Sequence, residues 1–138
     1  MSYTIVIDHR ETKIKEYFSN LPHPYSITYE NLDIGDFVFK KGDDTVLIIE
    51  RKTINDLYSS IKDGRYKEQK SRLISNFDKS KIIYLIENSI IEQKNKYNTD
   101  IVYGSIVNMS IRDDIKIIRS ESLKETIKFL DIIFKRLH

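Results

Sequence analysis

Apolar and polar residues alternate through "YTIVID" and again through "YSITYE", the period of half-buried β-strands. The first run is β-branched and predicts a strand ending at Asp8. A short helix over 12–19 follows, and Pro22 and Pro24 stop it. Residues 36–40 and 45–51 predict a hairpin around Gly42, Asp43 and Asp44. Thr53 and Asp56 form a capping-box pattern with Asp in place of the usual Glu, and Ile54, Leu57, Tyr58 and Ile61 then recur at helical spacing. Asp63-Gly64 interrupts that helix, and a second runs over 65–76 with Leu73 and Phe77 on its buried side. The apolar run 81–87 reads as a buried strand, and "EQKNKYNTD" as a mobile loop. A helix over 102–111, a strand over 115–118 and a last helix capped by Ser122 with Glu125 complete the chain. The order is β-α-β-β-β-α-α-β-α-β-α without repeat or linker, which predicts one α/β domain over 1–138 with a mixed sheet.

Hairpin register decides which side chains meet. With a three-residue loop over 42–44, Asp36 lies across from Glu50 and both side chains share one face; a slip of one residue would separate them. Glu50 and Lys52, at alternate positions, also project from one face. Hard carboxylate oxygens suit Mg²⁺ or Mn²⁺, which makes Asp36 and Glu50 candidate metal ligands. Lys52 beside them could orient a nucleophilic water or neutralise charge developing on a phosphate. Asp8, with Arg10 and Glu11 just after it, could bring further acidic groups to the same sheet edge, Asp8 as a third candidate ligand. Asp56 either caps the helix begun by Thr53 or holds Lys52 or Arg51 in place, and the two roles are compatible.

Composition narrows the context. The chain is 40% hydrophobic and 32% charged, an ordinary soluble balance. It has no cysteine, which excludes a disulfide framework and a thiolate metal site. No apolar run is long enough to span a bilayer, and no signal-peptide pattern precedes the first strand. An intracellular protein is expected: nuclear if eukaryotic, at the host nucleus or a cytoplasmic replication site if viral. The formal net charge of +2 does not by itself indicate a nucleic-acid binder. Lys62, Arg65, Lys67, Lys70 and Arg72 nevertheless cluster directly after the Glu50-Arg51-Lys52 strand, which turns an ordinary solvated face into a candidate DNA contact. His9 adjoins the first acidic motif, while His23 and His138 have no second ligand at useful spacing. The last helix carries a stripe of Leu123, Ile127, Leu130, Ile133, Phe134 and Leu137. Phe129 and Ile132 fall outside it, either as solitary exposed residues or as part of a subunit contact through about 102–137.

Asp followed by Glu-x-Lys at the end of the next strand is the PD-(D/E)XK nuclease pattern. "IDHRE", "LDIGDF", "IERKTINDLYSSIKDGRYKEQKSRL" and "IIYLIE" resemble, in order and spacing, the nuclease domain of the XPF-type structure-specific DNA endonucleases. The hallmark of that family is GD…ERKxxxD, and "SSIKDGRYKEQKSRL" is especially similar to its Mus-type crossover-junction branch. The resemblance implies a restriction-endonuclease-like fold, a central mixed β-sheet flanked by helices. It also implies Mg²⁺ dependence, with Mn²⁺ substituting, and cutting of one strand at 3′ flaps, forks and nicked junctions in repair or recombination. By position it assigns the acidic site to Asp8, Glu11, Asp36 and Glu50, the basic site to Arg51 and Lys52, and the helix aspartate to Asp56. Arg10, Arg65 and Gln69 match further motif positions, and with Lys62 and Lys67 they are the candidate DNA contacts. Family members work as dimers and carry helix-hairpin-helix motifs after the nuclease domain. This chain has none of those hairpins, and it is expected to be either an isolated domain or a minimal enzyme that depends on a homodimeric or heterodimeric partner for its grip on branched DNA. The alternatives are a non-catalytic DNA-binding partner subunit and another PD-(D/E)XK nuclease with a different nucleic-acid substrate.

Overall fold

A computed structural model describes residues 3–20 and 26–137. Pro22, Pro24, His23 and His138, which entered the sequence reading, lie outside these residues. Six strands form one mixed sheet in the order β2-β1-β3-β4-β5-β6. They are β1 (Tyr3–Asp8), β2 (Ser26–Glu30), β3 (Phe37–Lys41), β4 (Asp44–Thr53), β5 (Ile82–Glu87) and β6 (Lys116–Ser120). The helices are α1 (Thr12–Asn20), α2 (Ile54–Asp63), α3 (Arg65–Asn76), α4 (Thr99–Ile111) and α5 (Leu123–Leu137). Strands and helices follow the predicted order, and the fold is the expected α/β sheet flanked by helices.

Alternation along the strands feeds two cores. Val6, Val38, Ile48, Tyr84 and Ile86 meet Ile54 and Leu57 of α2, Tyr66 and Leu73 of α3, and Val102 and Met109 of α4. Ile5, Ile7, Phe37, Phe39, Ile49 and Leu85 face the other way, against Ile14 and Phe18 of α1 and Ile127, Leu130 and Phe134 of α5. A sheet covered on both faces needs central strands that are apolar at every position, and β5 is buried throughout. Glu50 and Lys52 continue the row of Ile48 on the α2/α3/α4 side, whereas Arg51 continues the row of Ile49 toward α1 and α5.

The hairpin departs from the expected three-residue loop. Lys41 pairs with Asp44, which leaves a two-residue turn of Gly42 and Asp43, with Gly42 at φ 64°. A bulge then shifts the register between Phe39 and Lys40, leaving Val46 as the extra residue in β4. From there Phe39 pairs with Leu47 and Phe37 with Ile49, which restores the alignment that places Asp36 beside Glu50. The two deviations cancel before the strand reaches its functional end.

Helix ends follow their chemistry. Thr53 Oγ1 accepts from the Asp56 amide at 3.1 Å, and Gly64 closes α2 at φ 84°, a left-handed conformation. Ser122 Oγ accepts from the Glu125 amide, and Glu125 returns a carboxylate to the Glu121 amide. The stretch read as a mobile loop overlaps a short 3₁₀ turn, Ile91–Gln93, and ends in α4, which starts earlier than predicted because Asn98 caps it through the Asp100 amide. Tyr97 within that stretch stacks on Tyr58 at 4.0 Å between ring centroids, which ties it to α2.

Candidate active site

The carboxyl end of β4 and the 31–36 segment before β3 open into a polar cleft of about 340 Å³. It is lined by Arg10, Glu11, Asp36, Glu50, Arg51, Lys52, Asp56 and Gln69, all expected from the sequence, and also by Arg72 of α3. Gly35 lets the chain enter β3 here: its φ is 78°, and a Cβ would lie 2.6 Å from the Ile48 side chain. The Asp36 amide donates to the Ile49 carbonyl, and Asp36 Oδ2 accepts from the Arg51 amide at 2.7 Å. The Asp36 side chain is thereby fixed to the backbone of β4.

Asp36 and Glu50 stand side by side at the cleft wall, each close enough to perturb the other's carboxyl. Burial raises the Glu50 carboxyl to about 8, with the Asp36 charge adding to the shift and Lys52 opposing it. Burial also raises Asp36, with the Arg51 amide and the Lys52 charge opposing it. Two carboxyls held together this way repel when both are ionised, so they share a proton or gain a cation. An all-oxygen pair beside a buried lysine fits a hard divalent ion that retains several waters. Soft metals are a poor match for this donor set.

Asp8 is spoken for. Its Oδ1 accepts from the Arg10 amide and Nε, both at 2.8 Å, and its Oδ2 from Arg10 Nη2 at 2.6 Å and the Leu32 amide at 3.0 Å. The Arg10 side chain lowers the Asp8 carboxyl to about 2, against the opposing effect of burial. Asp8 thus organises Arg10 and the 31–36 segment, and its proximity raises the Asp36 carboxyl. No group of three or more His, Cys, Asp or Glu side chains is arranged to hold a metal among the described residues. Asp8, one of the three candidate metal ligands, is thus set apart from the Asp36/Glu50 pair by its ties to Arg10 and Leu32.

Arg51 has its donors occupied. Nε and Nη2 grip both oxygens of Glu87 at 2.9 and 2.8 Å, and Nη1 reaches Glu11 at 2.9 Å. Burial raises the Glu11 carboxyl to about 7, with Arg51 opposing. Glu87 is buried at the end of β5 and was absent from the sequence-derived site. A carboxylate closing an otherwise apolar buried strand was the available signal.

The basic candidates divide. Arg10 is exposed and at the cleft, where its Nη2 also donates to the Leu32 carbonyl. Gln69 faces the cleft with a buried Oε1 that lacks a partner. Arg65 is instead turned to Asp63 at 2.7 Å and does not line the cleft, unlike Gln69 on the same helix. Lys62 lies over the Tyr58 ring, and Lys67 is exposed on α3 outside the cleft. Arg72, named only in the charge cluster, reaches the cleft and donates to the Asp33 carbonyl. His9 contacts Lys15 rather than the acidic pair.

A mixed sheet with an acidic residue before one strand and Glu-x-Lys closing the next defines a PD-(D/E)XK-type nuclease core. Within that class the chain belongs to the ERCC4 domain family, which matches residues 7–133. It is an XPF-type nuclease domain of the Mus branch. A probable crossover junction endonuclease mus81 from Dictyostelium discoideum is 35% identical, with 91% of this chain and 16% of that protein aligned. The ERCC4 domain-containing protein EP364R of African swine fever virus (isolate Pig/Kenya/KEN-50/1950) is 29% identical over 87% of this chain and 37% of its own length. XPF from Aeropyrum pernix shares the fold at a TM-score of 0.73 and 22% identity, covering 97% of this chain and 64% of that one. Its complex with DNA superposes at 0.72. The chain therefore spans well under half the length of these curated relatives.

Proposed function

We propose that this domain is a metal-dependent DNA endonuclease that hydrolyses one strand of branched DNA, such as a 3′ flap, fork or nicked junction. The observation that carries the reading is the Asp36/Glu50 pair, two adjacent carboxyls in a polar cleft with Lys52 on the same strand face as Glu50. Asp36 and Glu50 would hold Mg²⁺ or Mn²⁺, which supplies an acidified water and charge relief at the phosphate. Lys52, buried at the cleft wall, counters the negative charge that builds on the phosphoryl oxygens. Gln69 Oε1 has a free acceptor to orient water or substrate, and Arg10, anchored at one edge by Asp8 and Leu32, meets the phosphate backbone. Asp56, at the start of α2, completes the acidic wall around Lys52.

The edge beside β6 suits a second subunit that would add to the grip on DNA. Tyr103, Val107 and Ile111 make an exposed apolar stripe on α4, and Ile132 is exposed on α5; the two helices pack on opposite faces of the sheet. The strand β6 between them is the edge of the sheet. Pairing through about 102–137 would cover all three, as a homodimer or heterodimer.

The test is cutting of 3′ flap, fork, nicked junction, linear duplex and RNA substrates with Mg²⁺ or Mn²⁺. Preferential nicking of the branched DNAs, lost in Asp36→Ala, is the expected outcome. Binding to forks with no metal-dependent product would favour a non-catalytic partner subunit, and equal cutting of linear duplex or RNA would favour another nuclease specificity.

A further inference from the structure

Behind the cleft lies a buried polar chain that reaches α5. Arg51 bridges Glu11, which lines the cleft, to Glu87, whose side chain is 4% exposed. The Thr126 hydroxyl of α5 lies 2.6 Å from Glu87 Oε1 and 2.8 Å from Ser120 Oγ. Ser120 Oγ in turn donates to the Ser122 carbonyl at 2.7 Å, at the start of α5. Glu87, Ser120 and Thr126 are buried, and the Thr126 hydroxyl proton goes to the Glu87 carboxylate. Desolvated carboxylates and guanidinium groups are tolerated only when so satisfied, which leaves each little freedom to move.

We propose that Glu87 and Thr126 are positioning residues for the active site: through Arg51 they set the Glu11 carboxylate at the cleft wall and make its placement depend on the seating of α5. The inference rests on the reading of the cleft as an active site. Geometry supports it. A carboxylate gripped at both oxygens by Nε and Nη2 fixes the guanidinium plane, which directs Nη1 at Glu11. A third hydrogen bond from Thr126 removes the remaining freedom of Glu87. The helix that supplies this bond also carries the exposed Ile132 of the proposed subunit edge, so assembly at that edge would order Glu11 through the same chain.

The test uses Thr126→Val, which keeps shape and removes the hydroxyl, and Thr126→Ser, which keeps the hydroxyl. Steady-state flap cutting is measured for each, alone and combined with Glu11→Gln. Thr126→Val is expected to lower kcat about 10-fold at unchanged KM, in the range of other outer-shell losses. Thr126→Ser should restore it, and Thr126→Val should add no further loss in the Glu11→Gln background. An equal fold loss in both backgrounds would make Thr126 merely structural and overturn the proposal. Because cutting would be silent if the nuclease reading itself failed, the Arg51 Nε–H resonance is the independent readout. Broadening and faster solvent exchange in Thr126→Val are expected, and an unchanged signal sinks the proposal whatever the activity.

Discussion

Gly35→Ala probes the joint on which the site is built. The residue sits at φ 78°, where a side chain costs about 1–2 kcal/mol. The added methyl would also stand 2.6 Å from both Cγ1 and Cδ1 of Ile48, which is fully buried. Overpacking of that kind costs a further ~1–3 kcal/mol, for a total of about 2–5 kcal/mol. With a urea slope of about 1.5 kcal/mol per M, a 3 kcal/mol loss lowers the unfolding midpoint by about 2 M. Ile48→Ala alone should also destabilise, by about 2–4 kcal/mol, but it vacates the space that the new methyl needs. The double variant should therefore lose at least about 1 kcal/mol less than the two single losses combined. Strict additivity, or a Gly35→Ala loss under about 0.5 kcal/mol, would refute the steric argument. Since Asp36 follows directly, the folded Gly35→Ala protein should also bind Mn²⁺ more weakly than the wild type.

Metal-free stability should fall as pH rises. The Glu50 carboxyl is raised from 4.5 to about 8 and Glu11 to about 7, so both bind a proton more tightly folded than unfolded. Their contribution is full below 4.5 and is lost as pH climbs through those values. Thermal melts without metal should show a midpoint declining between about pH 5 and 8, recovered by Mn²⁺ at the alkaline end and flattened in Glu50→Gln; a midpoint rising over that window would be inconsistent. Asp8 acts in the opposite sense: its contribution is present above 3.8 and is lost as pH falls toward about 2, so Asp8→Asn should blunt the acid limb of the same profile. At the β6 edge, Val107→Asp with Ile111→Asp should leave unfolding within about 0.5 kcal/mol while reducing the mass in solution from dimer to monomer. A wild-type monomer at every concentration would rule that edge out for self-association.

The fold was legible because its signals were local. Alternation in β1, the Thr53 cap, the left-handed Gly64 and the apolar run of β5 each state their element without reference to the rest of the chain. Asp36 and Glu50 could be paired only by way of hairpin register, and there two errors cancelled: the turn is one residue shorter than read, and the bulge at Val46 makes up the difference. No local pattern announced that bulge. Side-chain direction was the harder matter. Arg51 sits between Glu50 and Lys52 in sequence but on the opposite face, where Glu11 and Glu87 claim it. Glu87 is brought to it by parallel pairing of β4 with β5, a long-range contact that spacing does not encode. Arg65 and Gln69 share a helix, yet Asp63 captures the former through a contact local to the α2/α3 junction. Asp8 was correctly placed near the acidic group, but its four hydrogen bonds to Arg10 and Leu32 depend on how the 31–36 segment folds back over β1.

Mn²⁺ binding followed by paramagnetic resonance, on wild type, Asp36→Asn and Glu50→Gln in parallel with flap cutting, tests the central claim most directly. The account predicts saturable Mn²⁺ binding and nicking by the wild type, both lost in each variant while fork binding and the folded state persist. Wild-type Mn²⁺ affinity and normal cutting in either variant would contradict it.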